Sequence, residues 1–199
     1  MELISMENKL NVMGITHCST VDGPGLRTVV WFQGCKNKCP GCHNPDSWDT
    51  DKEEMLLTAE QLYELAKPNK LEDGLTLSGG DPFWQKDLWS LIEFMKIYKE
   101  NNPTKTIWVY TGLTIEELTT YDSYWYKKKY MPFGMFTPYI DVLVDGRFEQ
   151  NKRDTAGIYR GSGNQRLIDI KAMHEKAVAN PDTHWLAHLT LFDPNSIQI

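Results

Sequence analysis

The feature that most constrains the fold of this chain is a strand-to-helix alternation that recurs about five times along the sequence. Apolar runs of strand length, rich in β-branched and aromatic residues, are followed by turn residues and then by apolar residues at helical spacing. Such an alternation is typical of a parallel sheet joined by right-handed crossovers, so the predicted class is α/β. The predicted strands cover residues 26–32, 74–78, 106–110, 139–144 and 185–192, with an additional edge strand at 10–18.

Four helices are predicted between these strands. Two of them begin at a capping box, in which a threonine and a Glu or Gln three residues later bond each other's backbone N–H groups. A longer helix is predicted from residue 84 to about residue 100, and an amphipathic helix over 167–177. The capping boxes are Thr58 with Gln61, and Thr114 with Glu117.

Length and charge narrow the class of protein. The 199 residues suffice for one full hydrophobic core, so residues 1–199 are predicted to form a single domain. The formal net charge of -6 argues against a nucleic-acid or anionic-membrane partner. Residues 121–138 interleave aromatic rings with lysines, but in an acidic chain this favours a helix packed by its rings over a nucleic-acid site. The N-terminus lacks a secretory signal and no apolar run has membrane-spanning length, which predicts a cytoplasmic protein.

Three of the four cysteines lie in one short segment directly after the first main predicted strand. The spacing Cys-x3-Cys-x2-Cys lets Cys35, Cys39 and Cys42 converge on one metal centre, because so short a loop closes at little entropic cost. In the cytosol, clustered cysteines are more often metal ligands or catalysts than disulfides. Cys18 stands apart and is predicted to be a small buried apolar residue.

Two kinds of metal centre fit this segment. A structural zinc site needs four protein ligands, so His43 would have to join the cysteines, although the side chains of neighbouring residues diverge. An iron–sulfur cluster is normally held by four thiolates. With three thiolates, one iron keeps an open position, which marks a catalytic rather than a structural metal site. The spacing favours iron–sulfur over zinc, and the open iron then needs a ligand from outside the protein.

Other special residues follow the next predicted strands. The carboxyl ends of parallel strands meet at one edge of the sheet, where α/β folds gather their chemistry. The sequence therefore predicts one site that combines the cysteine segment with three further segments. These are Gly79-Gly80-Asp81, Tyr110-Thr111-Gly112 and Asp145-Gly146-Arg147.

Six motifs follow one another between residues 21 and 165, and they cover most of the chain. They are Val21-Asp22-Gly23-Pro24-Gly25, the segment from Gly34-Cys35 to Cys39-Pro40-Gly41-Cys42-His43-Asn44, Leu77-Ser78-Gly79-Gly80-Asp81-Pro82, Trp108-Val109-Tyr110-Thr111-Gly112, Leu143-Val144-Asp145-Gly146-Arg147-Phe148 and Arg160-Gly161-Ser162-Gly163-Asn164-Gln165. As an ordered set they resemble the radical S-adenosylmethionine superfamily. The resemblance is nearest to activating enzymes of glycyl-radical enzymes, above all to those of anaerobic (class III) ribonucleoside-triphosphate reductase.

The resemblance implies a [4Fe–4S] cluster held by Cys35, Cys39 and Cys42, with its fourth iron chelated by the amino and carboxylate groups of S-adenosylmethionine. Reduction would cleave this cofactor to methionine and a 5′-deoxyadenosyl radical, which takes a hydrogen atom from a glycine Cα of the partner. The implied partner is the large subunit of the anaerobic ribonucleoside-triphosphate reductase, and the implied electron donor is a flavodoxin. The implied contacts to S-adenosylmethionine come from Gly41, Cys42, His43, Ser78, Gly79, Gly80, Asp81, Asp145, Gly146 and Arg147.

The predicted architecture is an incomplete, open (β/α) barrel of five or six parallel strands, whose gap would admit a loop of another protein. Two other functions fit the same sequence: an activase of a different glycyl-radical enzyme such as pyruvate formate-lyase, and a non-catalytic zinc-binding interaction module. A total of 4 cysteines excludes activases with an inserted ferredoxin domain.

Several of the implied contacts have a plainer interpretation. Gly79 and Gly80 would also suit a tight turn between a strand and a helix, and Asp81 would also suit a cap of the helix that follows. Asp145 and Arg147 would also suit a surface salt pair. Gly41 stands where many superfamily members carry an aromatic residue before the last cysteine, which puts adenine stacking at that position in doubt.

Overall fold

Seven strands form one sheet in a computed structural model, which describes residues 9–120, 123 and 132–196. The strands are β1 (Leu10–Ser19), β2 (Arg27–Phe32), β3 (Met55–Leu57), β4 (Gly74–Gly79), β5 (Thr106–Tyr110), β6 (Val142–Asp145) and β7 (Arg166–Asp169). Their order across the sheet is β3-β1-β2-β4-β5-β6-β7. The sheet and the helices between its strands confirm the predicted mixed α/β class.

The inner strands β2, β4, β5 and β6 run parallel, whereas β1, β3 and β7 pair antiparallel. The prediction of five or six parallel strands is therefore wrong by one or two. A parallel pair needs a crossover of roughly a dozen residues or more, and the connection 20–26 between β1 and β2 is shorter than that. The connection from β6 to β7 contains a 3₁₀ helix, Gln150–Thr155, and no α-helix. The chain therefore re-enters the sheet at the end where β6 leaves it, and β7 runs antiparallel to β6.

The helices of the described residues are α1 (Ala59–Ala66), α2 (Leu88–Asn101), α3 (Ile115–Thr119) and α4 (Ile170–Ala179). Both predicted capping boxes are present, at Thr58 and at Thr114. The long helix α2 begins later than predicted, because residues 82–84 form a 3₁₀ turn and Asp87 caps the helix. The last helix also begins later, because residues 167–169, the first three of the predicted helix, belong to β7, and Asp169 also caps the helix.

The predicted strand at 185–192 is wrong. Trp185–His188 form a 3₁₀ helix, and only Leu191 makes an isolated bridge, to Ile168 of β7. The ring of Trp185 packs edge-on against Phe133 with 5.9 Å between centroids. Within this stretch, backbone pairing with β7 is confined to residues 190–192, where the Asp169 N–H donates to the Thr190 carbonyl and the Phe192 N–H donates to the Leu167 carbonyl, both at 2.9 Å. The predicted edge strand at 10–18 exists as β1, but it lies inside the sheet between β3 and β2.

The two faces of the sheet are covered differently. Buried apolar side chains of the strands and helices fill the core on one face, and they include Phe32, Leu75, Val109, Leu62, Leu91, Phe94, Ile170 and Met173. On the other face, Tyr159 and Phe192 pack edge-on against Trp108, each with centroids 5.3 Å apart. Arg27 is fully buried beside Trp108, and this burial lowers the pKa of its guanidinium to about 10.

Two sequence predictions fall mainly outside the described residues. They concern the aromatic and lysine-rich residues 121–131, of which only residue 123 is described, and the N-terminal residues 1–8. None of the helices within 9–120, 123 and 132–196 has the length and apolar character needed to cross a lipid bilayer.

Candidate functional site

The cysteine loop, residues 35–44, leaves the end of β2 and is closed at its base. The Gly34 N–H donates to the Ser47 carbonyl at 2.8 Å, and the Cys35 N–H donates to the Trp48 carbonyl at 3.3 Å. The buried Gln33 amide adds a donor bond to the Asp49 carbonyl at 2.7 Å. These bonds form a neck, residues 33–35 against 46–49, that fixes both ends of the loop.

The neck is also joined to the end of β4. The Gly80 N–H donates to the Phe32 carbonyl at 2.7 Å, and the Asp81 N–H donates to the Gly34 carbonyl at 3.0 Å. The cysteine loop and the Gly79-Gly80-Asp81 segment therefore share one edge of the sheet, as the parallel strand arrangement predicts.

The three thiols differ in exposure. Cys35 is 8% exposed, while Cys39 and Cys42 are partly buried, and all four cysteines of the chain are free thiols. The Cys42 N–H donates to the Cys39 carbonyl at 3.0 Å, and the turn between them contains Gly41 at φ +75°. The fourth cysteine, Cys18, lies on β1 and is exposed, which corrects the prediction that it is buried.

Burial and backbone N–H groups act on these thiols in opposite directions. Burial raises the pKa of Cys35 to about 12, while the backbone N–H groups of Asn37 and Lys38 favour its thiolate. Burial likewise raises the pKa of Cys39, against the backbone N–H of Phe148. A thiol with a raised pKa stays protonated until a metal displaces its proton.

The chemistry of this donor set fits an iron–sulfur cluster. Three free thiols lie in one pinned loop, and backbone N–H groups point at the sulfurs, including the Asn44 N–H, which lies 3.4 Å from the Cys42 sulfur. Such hydrogen bonds to sulfur are among the features that tune iron–sulfur centres. Among the described residues, no three His, Cys, Asp or Glu side chains stand arranged to hold a metal ion. The fit therefore rests on donor chemistry and on the pinned loop.

Gly79 and Gly80 are required by the packing of the strand ends. A Cβ at Gly79, whose φ is +97°, would lie 2.6 Å from the Phe32 backbone nitrogen. A Cβ at Gly80 would lie 2.6 Å from the Gly34 carbonyl oxygen. Since neither obstacle is a flexible side chain, both positions need glycine whether or not a ligand is present.

We expect Gly80→Ala to lower the free energy of unfolding by about 1–3 kcal/mol, the usual range for overpacking a tight site. Gly14→Ala is the matched control, because a Cβ at Gly14 on β1 meets nothing within 4 Å. Urea unfolding of the two variants measures the difference. Equal stabilities would show that the end of β4 adjusts freely beside the neck.

Asp81 is a buried anchor in this structure, and its predicted contact to S-adenosylmethionine stays a prediction. The residue is 0% exposed, and its carboxylate accepts hydrogen bonds from four donors. One of these is the Phe83 N–H, so Asp81 caps the 3₁₀ turn at 82–84. Burial raises its pKa to about 6. Its carboxylate oxygens are therefore out of solvent and bonded to donors of the protein itself.

Asp145 and Arg147 do not form the surface salt pair that was the plainer interpretation of these two residues. Asp145 is 1% exposed and accepts from the Arg166 guanidinium on β7, with 2.9 Å from Nε to Oδ1, and from the Ile115 N–H at 2.8 Å. Arg166 also pairs with Glu116, and this contact lowers the pKa of Glu116 to about 2. The Asp145 carboxylate is thus enclosed between these donors, and its predicted cofactor contact stays a prediction.

Arg147 lies on the solvent side of the same edge. Its guanidinium is 3.0 Å from Glu117, and both side chains are about a third exposed or more, at 47% and 34%. The Arg147 charge lies close enough to the cysteine loop to favour the Cys39 thiolate. Of Asp145 and Arg147, the predicted acid and base, Arg147 is therefore the one whose side chain is exposed to an incoming ligand.

A cavity of about 1050 Å³ opens beside the loop. Its lining includes Cys35, Trp84, Arg147 and residues of 45–52, but not Gly79, Gly80 or Asp145. Ser78 is partly buried at the end of β4, and Gly41 and His43 are exposed on the loop. The predicted contact residues therefore share one edge of the sheet but do not line one common cavity.

Comparisons with known proteins bear directly on this edge. A family model described as a 4Fe-4S single cluster domain matches residues 21–168, which include every predicted site residue. The anaerobic ribonucleoside-triphosphate reductase-activating protein of Pasteurella multocida is 38% identical over 148 residues, 73% of this chain and 88% of that protein. The chain belongs to the family of anaerobic ribonucleoside-triphosphate reductase-activating proteins.

A second activating protein is similar over much of the chain. The activating protein of the same name from enterobacteria phage T4 is 33% identical over 160 residues, 79% of this chain and 93% of that protein. Among solved structures, QueE from Escherichia coli is similar over 52% of this chain and 53% of its own, with 14% identity and a TM-score of 0.42. Membership of the activating-protein family confirms the prediction of a radical S-adenosylmethionine enzyme with a [4Fe–4S] cluster.

Sequence reasoning missed the residues that brace this family member's site. Asn164 and Gln165 donate to the carbonyls of Arg147 and Gly146, at 2.8 and 2.9 Å, and so hold the segment after β6. The side chain of Gln150 lies over Gly41, where a Cβ would overlap it. The Asn164-Gln165 motif was visible in sequence, but nothing there indicated that its amides bind the Gly146-Arg147 backbone.

Proposed function

We propose that this chain activates anaerobic ribonucleoside-triphosphate reductase by installing a glycyl radical on its large subunit. The observation that carries the proposal is a loop with three free thiols, pinned at the carboxyl edge of parallel strands, in a chain whose relatives bear the name of that activity. The enclosed thiol Cys35 and the exposed loop tip suit a centre that is held firmly on one side and reached from the other.

Cys35, Cys39 and Cys42 are the cluster ligands in this proposal. The bound cluster and S-adenosylmethionine supply one-electron cleavage of the sulfonium, which yields the radical that takes a hydrogen atom from glycine. The loop residues hold the thiolates with backbone N–H donors, and Arg147 supplies a positive charge beside Cys39. The remaining contacts proposed for S-adenosylmethionine are Gly41, Cys42, His43, Ser78, Gly79, Gly80, Gly146 and Arg147.

Several further parts of the proposal concern architecture and partners. The sheet is an open, incomplete barrel whose free edges admit the glycine loop of the reductase, and residues 1–199 form one domain; the continuous sheet from β3 to β7 supports both. The electron donor is a flavodoxin. The protein is cytoplasmic, which agrees with four unpaired thiols.

The partner assignment is tested by electron paramagnetic resonance. Protein reconstituted anaerobically with iron and sulfide is reduced, mixed with S-adenosylmethionine and then with either the reductase large subunit or pyruvate formate-lyase. We expect a glycyl-radical doublet on the reductase alone, because the relatives carry that partner's name.

Two controls make this result decisive. Omission of S-adenosylmethionine should abolish the doublet, and so should a reductase whose target glycine is replaced by alanine. A doublet on pyruvate formate-lyase and none on the reductase would assign the other activase function. One tightly held zinc per chain, with no iron uptake, would instead support the zinc-binding module.

A further inference from the structure

A side-chain hydrogen bond links the inside of the cysteine loop to the sheet. Asn37, which lies between Cys35 and Cys39, donates from Nδ2 to Oδ2 of Asp81 at 2.9 Å. Asn37 is partly buried although both of its neighbours, Lys36 and Lys38, are exposed. Its amide therefore points inward, toward the carboxyl edge of the strands.

Asp81 joins this amide to the end of β5. The Thr111 hydroxyl lies 3.1 and 3.0 Å from the two carboxylate oxygens, and the Gly112 N–H donates at 3.0 Å. Thr111 is itself buried at 5% exposure. One buried carboxylate thus receives donors from the cysteine loop and from β5, and its own N–H is bound to the neck.

Gly112 makes room for this arrangement. A Cβ built on Gly112 would overlap the side-chain amide of Asn37. The approach of the cysteine loop to β5 therefore depends on a glycine at 112, in the same way that the neck depends on Gly80. This accounts for the Thr111-Gly112 motif, which the proposed function leaves without a role.

We propose that Asn37 and Asp81 are positioning residues, which set the placement of Cys35 and Cys39 when the cluster binds. The inference rests on the proposed function. A buried carboxylate is stable only where hydrogen-bond donors satisfy its oxygens. Asp81 therefore holds in place the amide of Asn37, which is its donor from the cysteine loop. Hydrogen bonds one step removed from metal ligands commonly change metal affinity by about 10–100-fold when broken.

The test compares Asn37→Ala, Asn37→Asp, Asp81→Asn and the swapped pair Asn37→Asp with Asp81→Asn. Each reconstituted protein is assayed for iron release to a chelator and for the spectrum of the reduced cluster. We expect Asn37→Ala to lose iron about 10–100-fold more readily and to show an altered spectrum. Asn37→Asp should lose iron more readily still, because the new carboxylate then faces the buried carboxylate of Asp81.

The swapped pair separates positioning from general damage. It again places an amide opposite a carboxylate, but the amide at position 81 now donates to the carboxylate at position 37. The swapped pair should therefore hold iron better than Asn37→Asp alone. Lys36→Ala is the matched control, because Lys36 is an exposed neighbour of Asn37 in the same loop. Its ammonium group lies over the Trp84 ring, 5.7 Å from the ring centroid, and we expect this variant to behave as wild type. Thermal unfolding of the apo-proteins checks that each variant is folded.

Two outcomes would overturn the inference. The first is that Asn37→Ala shows wild-type iron release and a wild-type spectrum. The second is that, at equal iron content, Asp81→Asn raises the dissociation constant for S-adenosylmethionine more than Asn37→Ala does. The second result would restore a direct contact by Asp81. Failure of the proposed function is recognised separately in the wild-type protein, which would then bind no cluster or give no glycyl-radical doublet on the reductase.

Discussion

Cys39→Ala abolishes cleavage of S-adenosylmethionine, and Cys18→Ala leaves it largely intact. This is the largest effect that we expect from a single substitution. With Cys39 removed, two thiolates remain for the cluster, and its loop keeps no spare thiol, since the fourth cysteine is on β1. The measurement is methionine and 5′-deoxyadenosine released per chain, together with iron and sulfide content after reconstitution.

Cys18→Ala is a demanding control for this experiment, because it removes the same chemical group. The Cys18 sulfur accepts only a surface bond, from Asn69 Nδ2 at 3.3 Å, and the residue already has a left-handed φ of +57° that alanine must also adopt. A small loss of stability is therefore acceptable in Cys18→Ala. Equal loss of cleavage and of iron in both variants would show that the ligand assignment is wrong.

Arg166→Ala lowers the free energy of unfolding by about 3 kcal/mol, because it leaves a buried charge without its partner. Asp145 is almost fully enclosed, and after the change the Ile115 N–H is the donor that still reaches its carboxylate among the described residues. Removal of one member of a buried ion pair is far more harmful than its surface equivalent. Urea unfolding of the apo-protein near neutral pH measures the effect without involving the cluster.

Arg147→Ala is the matched control for this second prediction. It removes the same side chain two residues from Asp145, but its partner Glu117 is 34% exposed and remains hydrated. We expect a change of less than about 1 kcal/mol, as for surface ion pairs in general. If Arg147→Ala proved as destabilising as Arg166→Ala, the two arginines would have exchanged roles and the site would need reassignment.

Local signals in the sequence were reliable where local chemistry decides the structure. The capping boxes at Thr58 and Thr114 satisfy backbone groups within one helical turn, so the residues alone specify them. The meeting of the cysteine loop with Gly80-Asp81 at one edge was also predictable, because parallel strands place their carboxyl ends together.

Tertiary partners explain what the sequence did not reveal. Asp145 and Arg147 were predicted as an acid and a base beside the cofactor, yet Asp145 binds Arg166 on an antiparallel strand, most of which was predicted as helix. Gly79 and Gly80 were predicted to contact a ligand, and the structure adds that the backbone of residues 31–34 leaves no room for a Cβ there. In each case the deciding neighbour is distant along the chain.

The neck of the cysteine loop has a consequence for how the cell builds and repairs this protein. Its bonds join backbone and amide groups of residues 33–35 and 46–49, and none of them involves a sulfur. The neck needs no metal–sulfur bond to form, and the loop tip, at Gly41 and His43, faces solvent. We therefore expect loss of the cluster to leave the neck in place, so that the same chain can be reconstituted.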